Sequence, residues 1–485
     1  MVVVDAERNI FVIFGGTGDL ARRKLIPALY NLITFHDISS ECVLLGVASR
    51  DLDDDDYRVL TRDALRDAGN SDAALEAWCE ENVFYQRLGR GFGSFEELST
   101  RIESIETDQS FPGNRIFYMA LPPALFPTTV VGLGEAGLNE SSGWTRLVIE
   151  KPIGNDLESA IELNALVHDY FDESQVYRID HYLGKETVQN LLAFRFSNPM
   201  FESVWNRDRV ESVEITVAEE LGIGSRAGYY ESAGVIRDMV QNHLTQVLAL
   251  VAMEPPISFA AEQIRNEKVK VIEAIAPIRR ESVVFGQYES GSIDGVDVPG
   301  YQEEDGVDED SHTATFVGIE LRIDTWRWQG VPFFLRTGKR LPKRLTEIAV
   351  TFQRPPLCII HGRRDSCAVE PNILLITLQP NEGFALRFNV KAPGDSVELD
   401  SQALRFSHDD VYGRLADAYE TLILDVMEGD QTLFVRSDEV EASWRIYDPL
   451  LDYRPEPHRY EAGTWGPGAA DRDLKLGETP WTVVT

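Results

Sequence analysis

Lysine is scarce in this 485-residue chain: nine residues, against 37 arginines. Cysteine is scarcer, with only Cys42, Cys79, Cys358 and Cys367. Four are too few for a disulfide framework, and their spacing offers no metal-ligand pattern, so they read as free thiols. No apolar run approaches the ~20 residues that span a bilayer. The N-terminus carries Asp5 and Glu7 and enters a strand pattern by Asn9, which does not fit a signal peptide. A soluble, cytoplasmic protein without a membrane partner is expected. Internal repeats, low-complexity linkers and a terminal acidic tail are also missing.

Acidic residues are abundant. The chain has 80 of them against 46 basic residues, a net charge of −34, and they are spread along its whole length. Small clusters stand at 51–56 and 303–310. The pattern predicts an anionic, strongly hydrated surface, as in a protein kept soluble in concentrated salt. It excludes nucleic acid as a partner, because a phosphate backbone would be repelled. A small anionic substrate would meet the same repulsion unless cations gather locally, and salt would screen the distant charges before the close ones.

Length and a hydrophobic content of 43% suggest two domains. Residues 10–14 form a short apolar run that ends in glycines and is followed by a helical pattern. Further strands are read at 42–48, 116–120 and 147–149, alternating with helices. The expected N-terminal domain, 1–180, is a doubly wound, Rossmann-type α/β domain with a parallel sheet. Beyond about 210 the apolar residues alternate, at 213–217, 315–323, 348–352, 373–378 and 385–390. This predicts a larger α+β domain, 181–485, built on a mainly antiparallel sheet with helices around 234–252 and 411–428. The stretch 286–312, rich in Gly, Asp and Glu, reads as a loop. A tight junction near 180 is expected to form a ligand cleft.

Five segments carry chemistry. The turn Gly15-Gly16-Thr17-Gly18-Asp19-Leu20-Ala21 fits G-x-G-x-x-A from Gly16, a form that lets a pyrophosphate approach the backbone at a helix N-terminus. An unliganded glycine turn is the plainer alternative. Arg22, Arg23 and Lys24 follow, within reach of phosphates, though solvated helix charge also explains the two arginines. The second strand ends in Ser49 and Arg50, which suit the 2′-phosphate of NADP better than a bare ribose; Asp51 points towards NAD. Glu150-Lys151-Pro152 closes a later strand, where the nicotinamide end of a dinucleotide would lie. The decapeptide 177–186, Tyr-Arg-Ile-Asp-His-Tyr-Leu-Gly-Lys-Glu, is read on a helical spacing. It combines cations for a phosphate dianion with a carboxylate to orient a base. Finally, 235–244 holds Asp238, Gln241, Asn242 and His243 on a helix. A lone histidine there is more often structural, but imidazole titrates in the range that alcohol dehydrogenation needs.

Together these segments resemble glucose-6-phosphate dehydrogenases from about residue 9 to 467, and 330–339 and 463–467 resemble the family as well. The resemblance implies oxidation of glucose 6-phosphate at C1 to the 6-phosphogluconolactone, the first step of the oxidative pentose phosphate pathway, with no metal. It implies His243 as general base and Asp180 as its orienting carboxylate. It places the substrate phosphate on His181, Tyr182 and Lys185, and sugar hydroxyls on Glu219 and Asp238. Lys339 and Arg344 would line the sugar pocket. Lys151 would touch the reacting ends of sugar and cofactor, and Lys24 would sit between both ligands. Cofactor contacts fall on Gly15, Gly16, Thr17, Gly18, Asp19, Leu20, Lys24, Ser49, Arg50 and Lys151. NADP is the expected cofactor; the family commonly has arginine where Ser49 stands, with Arg50 here one position later, and that departure keeps NAD as the alternative. A homodimer or homotetramer is implied. A chain that has shed most of its lysine keeps Lys24, Lys151, Lys185 and Lys339 at four of these positions. Two rival readings are a glucose–fructose oxidoreductase type, which needs no phosphate cluster, and a non-catalytic sugar-phosphate sensor, which needs no base.

Overall fold

In the computed structural model, which describes residues 7–35, 42–70, 73–89, 95–357, 369–394, 398–412, 417–453, 455–474 and 481, strand β1 (Asn9–Phe14) is buried at every position. A strand covered on both faces has no use for alternation, which is why its sequence reads as one apolar run. It lies centrally among β2 (Cys42–Ala48), β3 (Val83–Arg87), β4 (Arg115–Met119), β5 (Thr145–Ile149) and β6 (Val176–Ile179). These six are all parallel, in the order β6-β5-β4-β1-β2-β3, and a two-residue strand, Phe434–Val435, adds antiparallel beside β6. This is the doubly wound order, with the chain reversing direction between β1 and β4. Ile10, Val12, Phe14, Val43, Leu45 and Val47 pack on one face with Leu98, Ile102, Val130 and Leu133 of the covering helices, each burial contributing roughly 1.5–3 kcal/mol.

The acidic cluster after β2 does more than hydrate a surface. Asp53 caps the helix Asp54–Asp67, accepting from the backbone N–H of Asp56 at 2.9 Å, and Asp54, Asp55 and Asp56 occupy the first turn, where the helix dipole favours negative charge.

The second compact unit is built on nine strands. β7 (Val210–Ala218), β8 (Val283–Glu289), β11 (Phe316–Arg322), β12 (Pro332–Gly338), β13 (Leu345–Phe352), β14 (Ile373–Gln379), β15 (Gly383–Lys391) and β16 (Leu399–Ser407) join with a last strand, His458–Glu461. A hairpin of β9 (Gly291–Ile293) and β10 (Val296–Val298) stands apart. The order is β16-β15-β14-β13-β7-β12-β11-β8, then His458–Glu461. Most pairs are antiparallel, but β12 runs parallel to β7, and His458–Glu461 parallel to β8.

Several expectations are corrected. The stretch 286–312 is not one loop, because it holds the end of β8 and the β9–β10 hairpin; parallel pairing of residues 286–289 with His458–Glu461 overrides its loop-like composition. The helix expected at 234–252 starts only after Gly234, whose φ of 61° and ψ of 179° break it. The helix expected at 411–428 is two elements, His408–Tyr412 and Ala418–Glu428. A division at 180 describes chain order only: the first unit comprises Met1–Lys185 together with Pro256–Asn266 and Ala416–Glu441, two segments that return from the far part of the chain. Cys42 and Cys79 are free and buried, while Cys358 and Cys367 lie outside the described residues. Among the described residues, no helix is long and apolar enough to cross a membrane.

A charged row crosses the buried face of the second sheet. Arg336 of β12 is opposite Thr216 of β7, which is opposite Glu347 of β13. Burial pulls the Arg336 guanidinium down to about 10 and pushes the Glu347 carboxyl up to about 7. A carboxyl with a raised folded-state pKa contributes stability that is present below its unfolded value near 4.5 and lost as pH rises through 7. Glu347→Gln should therefore gain on the wild type by ~1–3 kcal/mol between pH 4 and pH 8, read from denaturant midpoints; a pH-independent difference contradicts the assignment.

Candidate functional site

In the first unit the site elements stand at the carboxyl ends of the parallel strands. After β1, Gly15 takes φ +81°, and a Cβ there would lie 2.2 Å from the Ala120 carbonyl oxygen. A Cβ on Gly16 would meet Gly46 Cα and the Tyr57 hydroxyl, each at 2.9 Å. The Gly15 and Gly16 N–H groups donate to the Val47 carbonyl at 2.8 and 3.2 Å, and the Gly18 N–H donates to Gly15 at 2.8 Å. The turn is thus pinned and has no room for side chains at its two leading glycines. Thr17, Gly18, Asp19 and Leu20 lead into a helix that opens as a π-turn, Ala21–Leu25, with Ala21 buried against the sheet. A bare turn feeding a helix N-terminus fits a dinucleotide pyrophosphate. Asp19 pairs with Arg23 at 2.9 Å, and Lys24 pairs with Asp417 at 3.0 Å.

At the end of β2, Ser49 and Arg50 are exposed. The Tyr85 hydroxyl holds this turn by donating to the Arg50 carbonyl at 2.8 Å, and Arg87 binds the Asp51 carboxylate at 2.7 Å. At the end of β5, Glu150 is buried and accepts from the Tyr118 hydroxyl at 2.6 Å and the Tyr419 hydroxyl at 3.3 Å. Burial raises its carboxyl above the usual range, and the two tyrosines oppose that shift. Lys151 follows it directly.

The decapeptide is not helical, contrary to the sequence reading. Its first residues are β6, and a tight turn follows: the Leu183 N–H donates to the Asp180 carbonyl at 2.9 Å, and the Lys185 N–H to Tyr182 at 3.3 Å. The next helix starts only at Glu186. Pairing with β5 fixes the strand, and Gly184 lets the turn close against the Ala418 carbonyl, 2.7 Å from where a Cβ would sit. Asp180 is buried and accepts from the Tyr182 N–H at 3.0 Å. The half-buried His181 ring lies 5.1 Å from the Tyr182 ring, and Lys185 Nζ sits 3.8 Å above that ring, a cation–π contact.

In the second unit the parallel pairing of β7 and β12 puts Ala218 opposite Gly338, so Glu219 and Lys339 emerge side by side. Lys339 Nζ binds Glu219 at 2.6 Å, approaches Asp238 at 3.5 Å and lies 5.0 Å from the centre of the Tyr230 ring. The Tyr229 hydroxyl donates to Asp238; burial first, then this carboxylate, pushes the phenol up to about 12. Asp238 and His243 are buried on Ile236–Leu244, which is wound as a π-helix. Three hydroxyl or amide groups take up its carbonyls: Asn242 donates to Arg237 at 2.9 Å, Thr245 to Val240 at 2.7 Å, and Ser443 to Gln241. Such widened turns recur at functional sites. Arg344 is exposed and donates to the Gln379 side chain at 3.2 Å, outside the contacts of Lys339.

Sequence reasoning missed Tyr118, Tyr229, Tyr230, Asp417 and Tyr419. One signal was available: Asp417-Ala418-Tyr419-Glu420 ahead of an apolar run is a helix-cap pattern.

A doubly wound sheet with a bare glycine turn, followed by a unit that gathers a lysine, two carboxylates and a buried histidine-bearing helix, defines a nucleotide-dependent oxidoreductase of two-unit type. Comparison with known proteins narrows this. Residues 12–190 match the model for the NAD binding domain of glucose-6-phosphate dehydrogenase, and 192–482 match that for its C-terminal domain. Glucose-6-phosphate 1-dehydrogenase of Aggregatibacter actinomycetemcomitans is 44% identical, covering 98% of this chain and 97% of its own. A solved glucose-6-phosphate dehydrogenase in complex with its substrate glucose-6-phosphate is similar over 100% of both chains, with 36% identity and a TM-score of 0.90. The Mycobacterium avium glucose-6-phosphate 1-dehydrogenase structure covers 98% of each chain at 37% identity and a TM-score of 0.85. The chain belongs to the glucose-6-phosphate dehydrogenase family.

Because the Gly15 Cβ position is taken by backbone and its φ is positive, Gly15→Ala should lower stability by about 1–3 kcal/mol and weaken dinucleotide binding in calorimetry. An unchanged melting temperature with normal binding would show that the turn is not constrained as described.

Proposed function

We propose that this chain oxidises glucose 6-phosphate at C1 to 6-phosphoglucono-1,5-lactone, with NADP as the hydride acceptor, opening the oxidative pentose phosphate pathway. The observation that carries the reading is the full-length likeness, at a TM-score of 0.90, to a dehydrogenase whose structure holds glucose 6-phosphate. A bound nicotinamide supplies the acceptor for the hydride that leaves C1. His243 takes the C1 hydroxyl proton as the C1–H bond breaks and the carbonyl forms. Asp180 fixes the imidazole tautomer and stabilises the protonated ring. His181, Tyr182 and Lys185 hold the phosphate, and the stacking of Lys185 on Tyr182 supports a preset ammonium there. Glu219 and Asp238 accept from sugar hydroxyls, with Lys339 and Arg344 lining the pocket. The ion pairs of Lys339 supply the mixture of donor and acceptors that hydroxyls require. Lys151 contacts the reacting end, and Lys24 lies between the ligands.

For the cofactor, Ser49 and Arg50 serve the 2′-phosphate. The pairing of Asp51 with Arg87 supports this, because it occupies the carboxylate that would otherwise oppose the phosphate. A kcat/KM favouring NAD over NADP contradicts that preference. Self-association as a homodimer or homotetramer, a cytoplasmic location and a surface adapted to concentrated salt belong to the same reading. A monomer by light scattering contradicts the first, fractionation of the native protein outside the cytoplasm the second, and a melting temperature independent of salt the third.

His243→Asn should reduce kcat by about 10²–10⁴-fold with sugar-phosphate affinity nearly unchanged in calorimetry; near-full turnover removes His243 as the base. Lys185→Ala should weaken glucose 6-phosphate binding about 10–100-fold, and an unaltered affinity rejects its phosphate role.

A further inference from the structure

Three site segments of the first unit meet a single element that comes from far along the chain, the start of the helix Ala418–Glu428. Lys24, two turns past the glycine loop, binds Asp417 Oδ2 at 3.0 Å. The other oxygen, Oδ1, accepts from the Tyr419 N–H at 3.0 Å and so caps the helix. Tyr419 in turn donates its hydroxyl to Glu150, beside Lys151. The first carbonyl of the helix, that of Ala418, closes over Gly184 in the phosphate turn. Asn31, on the helix that continues from Lys24, donates to Glu420 at 2.9 Å and keeps the same two helices in register.

We propose that Asp417 is a positioning residue for the reaction: it divides its two oxygens between capping the helix and orienting the Lys24 ammonium towards its place between glucose 6-phosphate and the cofactor. The inference rests on the role given to Lys24 above and goes beyond it by naming what holds that lysine. The physical case is one of geometry rather than stability. Both partners are about half exposed, at 49% and 39%, and such pairs contribute only ~0–1 kcal/mol to folding. A lysine has four rotatable bonds and loses about 1.5–2 kcal/mol of rotamer freedom when fixed. An ion pair formed in the free enzyme removes part of that cost from the binding step, which appears as affinity for the anion. The short cap is what makes the anchor rigid, since Oδ1 cannot move without uncapping the helix.

The test compares Asp417→Asn, Lys24→Gln and the double variant in steady-state kinetics with glucose 6-phosphate and NADP, alongside thermal melts. Asparagine keeps the cap and removes the charge. Asp417→Asn should raise KM for glucose 6-phosphate about tenfold, change kcat less than about threefold and leave the melting temperature unmoved. Asp417→Glu should recover part of the KM. The double variant should match Lys24→Gln alone, because Asp417 acts through that lysine. A normal KM in Asp417→Asn while Lys24→Gln is impaired overturns the proposal, as does a double variant whose losses multiply. If neither single variant changes KM, the assignment of Lys24 fails and the inference falls with it.

Discussion

The ion pairs made by Lys24 in the first unit and Lys339 in the second are the constraint on which the proposed function depends. A chain carrying a net −34 repels a sugar phosphate at every distance that salt does not screen, so attraction has to come from a few ammonium groups held at close range. Each of these lysines is bound to carboxylates: Lys24 to Asp417, and Lys339 to Glu219 with Asp238 nearby. A carboxylate beside a lysine weakens its pull on an anion but fixes where the ammonium stands. In a protein so rich in acid, restraint of this kind comes from residues the composition already supplies.

Strand ends do the placing. The glycine turn, Ser49 with Arg50, Lys151 and Asp180 follow β1, β2, β5 and β6 in one parallel sheet, where the carboxyl ends of strands gather ligands. The second unit has a mainly antiparallel sheet, yet the pair that supplies Glu219 and Lys339 is one of its two parallel pairs, β7 with β12. Parallel pairing brings two strand ends to one edge, and their next residues become neighbours. Other groups hold the carboxylates in place: the buried Tyr118 and the half-buried Tyr419 hold Glu150, and the half-buried Tyr229 holds Asp238.

Much of this was legible from residue pattern alone. Strand β1 is a continuous apolar run, β2 was placed at 42–48, and the glycine turn announces its own backbone. The alternating segments of the second unit marked its strands, but the wetter face that alternation implies is not there: β7, β11, β12 and β13 are buried at consecutive positions. What stayed hidden depends on partners distant in sequence. The decapeptide has the density of a helix face, but pairing of β6 with β5 makes it strand and turn. The hairpin and strand inside 286–312 are disguised by Gly and acid, and the end of β8 is held by a strand some 170 residues on, His458–Glu461. Asp417 lies almost 400 residues from Lys24, so no local spacing could join them. Of the three groups that take up carbonyls of the π-wound Ile236–Leu244, Ser443 likewise comes from some 200 residues on.

The most direct test of the account is cofactor reduction by the purified chain in concentrated salt, with glucose 6-phosphate and unphosphorylated glucose measured in parallel. If His181, Tyr182 and Lys185 anchor the phosphate and so bring C1 to the cofactor, kcat/KM for glucose 6-phosphate should exceed that for glucose by at least about 10³-fold. Comparable values for the two sugars would contradict it, because the phosphate would then contribute nothing to the transition state.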